Sequence, residues 1–201
     1  TARSRGLGDV YKRQLLLHWS NDLGETVDEI YTSIGEEVAL IPYVSVPSDA
    51  NPGVYDLRLD VNGKAPNNFP ADRVIRVEVL NKFDLEIIPE FREGQIPADN
   101  MSRIVELVLI NHGNSEEAFD LFVTADPSLR ARLGTPSTLG IDPFGGDTTA
   151  LLLLPMPYGV ENETYLLRIT ARSQSNPLYE VQSTITLSLI HISEPTRPSS
   201  I

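Results

Sequence analysis

The chain has no cysteine, one tryptophan, two methionines and three histidines in 201 residues. Without thiols there are no disulfides, no thiolate metal sites and no cysteine nucleophile. Cysteine-free surface proteins are common in prokaryotes, so this absence does not assign a compartment. The scarcity of histidine leaves little for acid–base or nucleophilic catalysis, which needs a base oriented by a third group and a pocket for the developing oxyanion. His18 lies beside Trp19, and His112 sits between turn residues. No catalytic residue is therefore assigned. Long apolar runs are also missing. The longest, Ala150–Leu154, is far short of the roughly 20 residues of a membrane helix. Positive charge is in short supply, with 16 basic against 28 acidic residues and a net charge of −12. Such a field repels nucleic acid and anionic membrane surfaces, so neither is expected as a partner.

The two ends read differently from the middle. Ser4–Gln14 is SRGLGDVYKRQ and Leu187–Arg197 is LSLIHISEPTR. Both resemble translations of one transposase-type sequencing adapter, in opposite orientations. Residues 1–14 and 187–201 are thus expected to be adapter-derived and non-native. The natural segment, 15–186, is expected to be cut at both ends from a longer reading frame.

Within it lies an internal repeat. VSVPSDANPGVYDLRLDV begins at Val44 and LPMPYGVENETYLLRITA at Leu154. At an offset of 110 positions Pro47 meets Pro157, Tyr55 meets Tyr165, Leu57 meets Leu167 and Arg58 meets Arg168. A unit of about 110 residues is the size of one immunoglobulin-type sandwich. The second copy contains strand-like alternation at Phe83–Ile88, Val105–Leu109, Phe119–Val123, Tyr165–Ala171 and Val181–Ile185, with a continuous apolar run at Thr148–Leu154. No stretch keeps a 3.6-residue period, and helix is limited to one short turn near Asp126–Arg132. The expected fold is all-β. Residues 15–81 are the C-terminal half of a truncated Ig-like sandwich, and 82–186 are a near-complete one. Only Asn81 and Lys82 separate the copies, too few for a flexible linker.

The most specific local signal is NHGNSEEAFDLFV, Asn111–Val123. Asn111, Gly113 and Asn114 accept positive φ cheaply and are expected to turn the chain between two strands. Here the chain resembles the prokaryotic Ig-like domains associated with α-galactosidases and the related bacterial cell-adhesion domain (CARDB). Those families show a strand, an N-x-G-N turn and an F-x-L-x-V strand, then a proline ahead of a G-x-Y-x-L-x-V strand. Pro47 with Gly53, Tyr55 and Leu57 matches this in the first copy, and Pro157 with Tyr165 and Leu167 in the second. The second copy departs from the pattern with Glu163 in place of Gly53. The resemblance implies a module outside the cytoplasm that acts as spacer or adhesion domain, and it carries over no catalytic residue.

Two further chemistries are open to these residues. Asp142 and Asp147 flank a Gly-rich turn and are weak candidates for calcium, a hard cation that prefers oxygen ligands. They lack the spacing of a known calcium loop, so no cofactor is assigned. Trp19, Tyr43, Phe91, Phe122 and Tyr158 are scattered candidates for a sugar-stacking surface. The function expected is a non-catalytic structural or adhesive repeat of a larger extracellular or cell-surface protein. The alternative is an accessory β-sandwich, with carbohydrate binding in range, of a secreted glycosidase or protease. Expected partners are neighbouring Ig-like domains of the same polypeptide, and a surface protein or glycan outside it. The adapter reading has a direct test. A chain spanning Lys82 to Ile190 should melt at the same temperature as one continuing to Ile201, and a clear loss on trimming would make the tail native structure.

Overall fold

The computed structural model describes residues 16–20, 41–61, 71–97, 101–155 and 163–190, with side chains left undescribed at 16–20, 59–61, 71, 72 and 163. Apart from one short 3₁₀ turn, all its regular structure is strand. The chain divides into two compact units, Thr1–Lys82 and Phe83–Ile201.

The second unit is built on period-two alternation. In β7 (Ser102–Asn111) Val105, Leu107 and Leu109 are buried while Ile104 and Glu106 face solvent. β11 (Glu163–Ser173) buries Tyr165, Leu167, Ile169 and Ala171 and exposes Leu166, Arg168 and Arg172. β5 (Leu85–Pro89), β8 (Phe119–Thr124), β10 (Gly146–Pro155) and β12 (Glu180–Ile190) follow the same rule. Strands with one apolar face are stable only when that face meets another. The unit meets the requirement with two four-stranded sheets, β5-β7-β10-β9 and β6-β12-β11-β8. Here β6 is Glu93–Pro97 and β9 is Arg132–Leu133.

This strand order is that of an immunoglobulin-type sandwich. With β5 as strand A, the first sheet reads A-B-E-D and the second continues G-F-C. The first strand splits, so that β5 pairs antiparallel with β7 while β6 crosses over and pairs parallel with β12. Phe91 lies at the crossing, with its ring over Gly94. A Cβ on Gly94 would sit 2.7 Å from that ring. After β8 the chain makes the expected turn as a single 3₁₀ turn, Pro127–Leu129. The side chain of Asp126 accepts from Ser128, by hydroxyl and by N–H, and these bonds hold its carboxyl below its ordinary range.

The apolar run Thr148–Leu154 lies in a core strand whose two faces differ. In β10, Ala150, Leu152 and Leu154 are inside, whereas Leu151 is 36% exposed on the outer face. Leu187–Ile190, whose alternation suits a strand, continues β12 four residues past Thr186. Leu187 and Leu189 are 0% and 1% exposed in the core, and β12 pairs with β11 as far as Leu189.

In the first unit the described residues form two strand pairs. β1 (Leu16–Ser20) pairs with β2 (Ile41–Ser45), and β3 (Gly53–Val61) with β4 (Ala71–Val79). Tyr55, Leu57, Ile75 and Val77 are half-buried on one face of the β3–β4 hairpin, and Val54 and Val74 are exposed on the other. Asp56 and Arg76 pair across the exposed face at 2.9 Å.

The two hairpins share a register. Gly53 pairs with Val79 and Tyr55 with Val77, while Glu163 pairs with Leu189 and Tyr165 with Leu187. Each of these residues stands 110 positions from its counterpart. Leu187 therefore takes the place of Val77, opposite the tyrosine. Replacing a fully buried leucine by alanine in such a layer costs about 2–5 kcal/mol. Leu187→Ala should lower the unfolding free energy of the second unit by that amount in chemical denaturation, whereas Ser188→Ala should leave it unchanged within error.

Candidate functional site

Asn111, Gly113 and Asn114 lie at one end of the sandwich, where β7, β10, β11 and the loops between them meet. Asn111 is the last residue of β7 and 2% exposed. Its Nδ2 donates to the carbonyls of Ser115 at 2.8 Å and Ile141 at 2.9 Å, and its Oδ1 accepts from the Gly113 N–H at 2.9 Å. One side chain thus serves three backbone groups, of which the Ile141 carbonyl also accepts from the Glu117 N–H. The Asn111 carbonyl accepts from Gly145 at 2.8 Å, and Phe144 N–H donates to the Gly113 carbonyl at 3.0 Å.

This differs from the expected turn. Positive φ belongs to Phe144, at 61°, and Gly145, at 98°, and to none of Asn111, Gly113 and Asn114. Asn111 acts through its side chain, and the left-handed residues lie in the facing loop. Gly146 completes that loop, since a Cβ there would meet the Asp142 backbone. Asn114 is buried at 8% exposure beside this knot.

Glu117 forms its second half. It is 6% exposed, and its main chain bridges to Ile141 in both directions, at 3.1 and 2.8 Å. Its Oε1 accepts from the Ser173 hydroxyl at 3.0 Å and the Ser175 N–H at 3.1 Å, and its Oε2 accepts from the Ser175 hydroxyl. A buried carboxylate is tolerated only with such donors. Next to it Phe119 and Thr138 clasp one another, each N–H donating to an oxygen of the other at 2.9 Å. Below, Tyr179 stacks on Phe83 with centroids 5.5 Å apart and accepts the Leu85 N–H at 2.8 Å.

The remaining candidates do not converge. Asp142 and Asp147 are both exposed. Among the described residues no group of three or more His, Asp or Glu side chains gathers where a metal would be held. His112 Nε2 lies 3.1 Å from Glu86, with both side chains nearly half exposed. Tyr43 is 55% exposed in the first unit, Phe122 lies under the Arg172 guanidinium at 5.1 Å, and Phe91 packs against the core. The side chain of Trp19, and Tyr158 altogether, lie outside the described residues, as does Pro157. Pro47 is half-buried and starts the turn after β2, its carbonyl accepting from Ala50 at 3.1 Å.

The tyrosines carry a further signature. The Tyr55 hydroxyl donates to the Asn51 carbonyl, four residues upstream, at 2.8 Å. A tyrosine near the start of strand F that bonds back to upstream backbone is the tyrosine corner of Ig-like sandwiches. Tyr165, at the same register position, is 7% exposed. The spacing of tyrosine and proline pointed to these residues, while nothing in the sequence pointed to Glu117, Ser173 or Thr138.

No family model and no curated protein sequence matches the chain, so its resemblance to the galactosidase-associated and cell-adhesion domains rests on the short motifs alone. Among solved structures it is similar to the ASH / PapD-like domain of human CEP192 (PapD-like domain 7), at 16% identity over 54% of this chain and 87% of that one, TM-score 0.39. It is also similar to the periplasmic chaperone SfaE, at 12% identity over 55% of this chain and 61% of that one, TM-score 0.38. A third is the S-layer protein SbsC, domains 4 and 5, at 9% identity over 86% of this chain and 99% of that one, TM-score 0.37. Likenesses this distant carry no functional argument, and the fold is defined here by its own strand order.

The polar knot has a clear energetic signature. Asn111→Ala would leave the Ser115 carbonyl and the Gly113 N–H without this partner in a buried site and strip the Ile141 carbonyl of one of its two donors, at about 2–4 kcal/mol. Asn111→Asp should be at least as harmful, because it sets a carboxylate against the Ser115 and Ile141 carbonyls. Chemical denaturation of both variants against the unchanged chain measures the difference.

Proposed function

We propose that this chain is a non-catalytic structural or adhesive module of a larger secreted or cell-surface prokaryotic protein, acting as spacer or interaction domain. The observation that supports it most is the repeated hairpin. Two tyrosines 110 positions apart stand in the same strand-pair register, in units that follow one another with no flexible linker. A chain that repeats one sandwich invests its sequence in length and display. The polar end of the second unit adds support. Glu117, Ser173 and Ser175 resemble the raw material of a catalytic site, yet their hydrogen bonds are spent on one another and on backbone. An active site keeps such groups aimed at a space that substrate enters. Among the described residues no third His, Asp or Glu side chain joins Asp142 and Asp147 where calcium would be held.

Recovery of the complete reading frame tests this. Several further units of about 110 residues, ending in a surface anchor, are expected. A catalytic domain directly adjoining a single pair of sandwiches would replace this reading with the accessory-module one.

A further inference from the structure

The last strand of the second unit is paired unevenly. β12 makes a ladder with β11 from Glu180 to Leu189, but on its other side β6 covers only Thr186–Ile190. The direction of the main-chain groups follows from one bond, because the Thr186 N–H donates to the Arg92 carbonyl at 2.8 Å, toward the β6 side. Strand geometry repeats every two residues. The N–H and C=O groups of Gln182 and Thr184 therefore face the same way, into the lane β6 would occupy if it were longer. Among the described residues no strand pairs with them there.

The lane is an open groove of about 640 Å³ between β5 and β12. β5 forms its far wall as the outermost strand of the other sheet. Edges of this kind are normally guarded by lysine, proline or a bulge. The stretch Glu180–Ile185 has none of these residues, and its pairing with β11 runs without a bulge. Asp84, Glu86 and Glu93 line the groove against Arg92 and His112, and His112 is held on Glu86.

We infer that this edge accepts an extended, basic segment of another protein as an added strand beside Gln182 and Thr184. Strand addition takes its affinity from main-chain hydrogen bonds and its preference from alternate side chains. The acidic lining selects lysine or arginine at the groove-facing positions. It also disfavours a second copy of this chain, which carries a net charge of −12. The inference goes beyond the spacer reading and does not depend on it, since it rests on the second unit alone.

The test titrates a short synthetic peptide of alternating lysine and valine into the isotope-labelled full chain, with amide exchange read by NMR. Binding should slow exchange at Gln182 and Thr184 while leaving β10 unchanged. A backbone N-methylated version of the peptide should not bind, and a glutamate-for-lysine version should bind at least about tenfold more weakly. Thr184→Pro removes one N–H from the lane and should abolish binding with β7 and β10 still protected. If that variant fails to fold, the N-methylated peptide carries the same comparison. Protection of Gln182 and Thr184 in the free chain, equal binding of the acidic peptide, or dimerisation through these amides would each overturn the inference.

Discussion

Everything in the second unit depends on a single apolar layer between two sheets that no disulfide cross-links. In many Ig-type sandwiches a disulfide between strands B and F crosses that layer, with the second cysteine two residues after the corner tyrosine. Here that position is Leu167, 0% exposed, and the chain has no cysteine to put there. Cohesion must come from close packing alone, which tolerates neither voids nor excess volume. Aliphatic side chains dominate the layer: Leu107 and Leu109 from β7, Leu152 and Leu154 from β10, Leu167 and Ile169 from β11, Leu187 and Leu189 from β12. Among the described residues Phe119 is the one aromatic ring that is essentially fully buried. A layer of this kind is general hydrophobic adhesion and does not by itself specify which loops meet where.

Specificity comes from the polar end. Asn111 and Glu117 each satisfy several backbone or hydroxyl donors and acceptors, and both bind the Ile141 main chain. Sheet ends are where backbone groups run out of ladder partners, and burying them unpaired would cost more than the ladder returns. The knot also explains the left-handed Phe144. A bulky residue with positive φ is costly in isolation. It persists because Phe144 N–H reaches the Gly113 carbonyl and Gly145 N–H reaches the Asn111 carbonyl, fixing the loop from the opposite strand.

The division between what was legible in the sequence and what was not follows the same line. Val105–Leu109, Phe119–Val123 and Tyr165–Ala171 announce themselves, because a half-buried strand writes its two faces into alternate residues. Thr148–Leu154 does not, since Leu151 and Leu153 are apolar on the outward side as well and erase the period. β6 was invisible: EGQIP contains glycine and proline, and its parallel pairing with β12 is a long-range event with no local trace. Asn111 was found for a partly wrong reason. Its proximity to Gly113 suggested a tight turn by positive φ, whereas its amide is the functional part. Glu117 sits in an acidic stretch, SEEAF, where only burial separates it from its exposed neighbour Glu116.

The paired hairpins show how little of a sequence a register needs. Between β3–β4 and β11–β12 the tyrosines and the leucine two residues later are kept, while Gly53 gives way to Glu163 and Val77 and Val79 to Leu187 and Leu189. The register survives because pairing is a property of the backbone, and the side chains need only place an apolar group on the correct face. Leu187–Ile190 makes the point sharply. In it Leu187 and Leu189 face inward and Ser188 stands beside Thr164. An alternating apolar stretch of any origin meets that requirement. The constraint that does demand particular residues lies at the other end of the strand pair, where Ser173 and Ser175 hold Glu117 and the loops are fixed one hydrogen bond at a time.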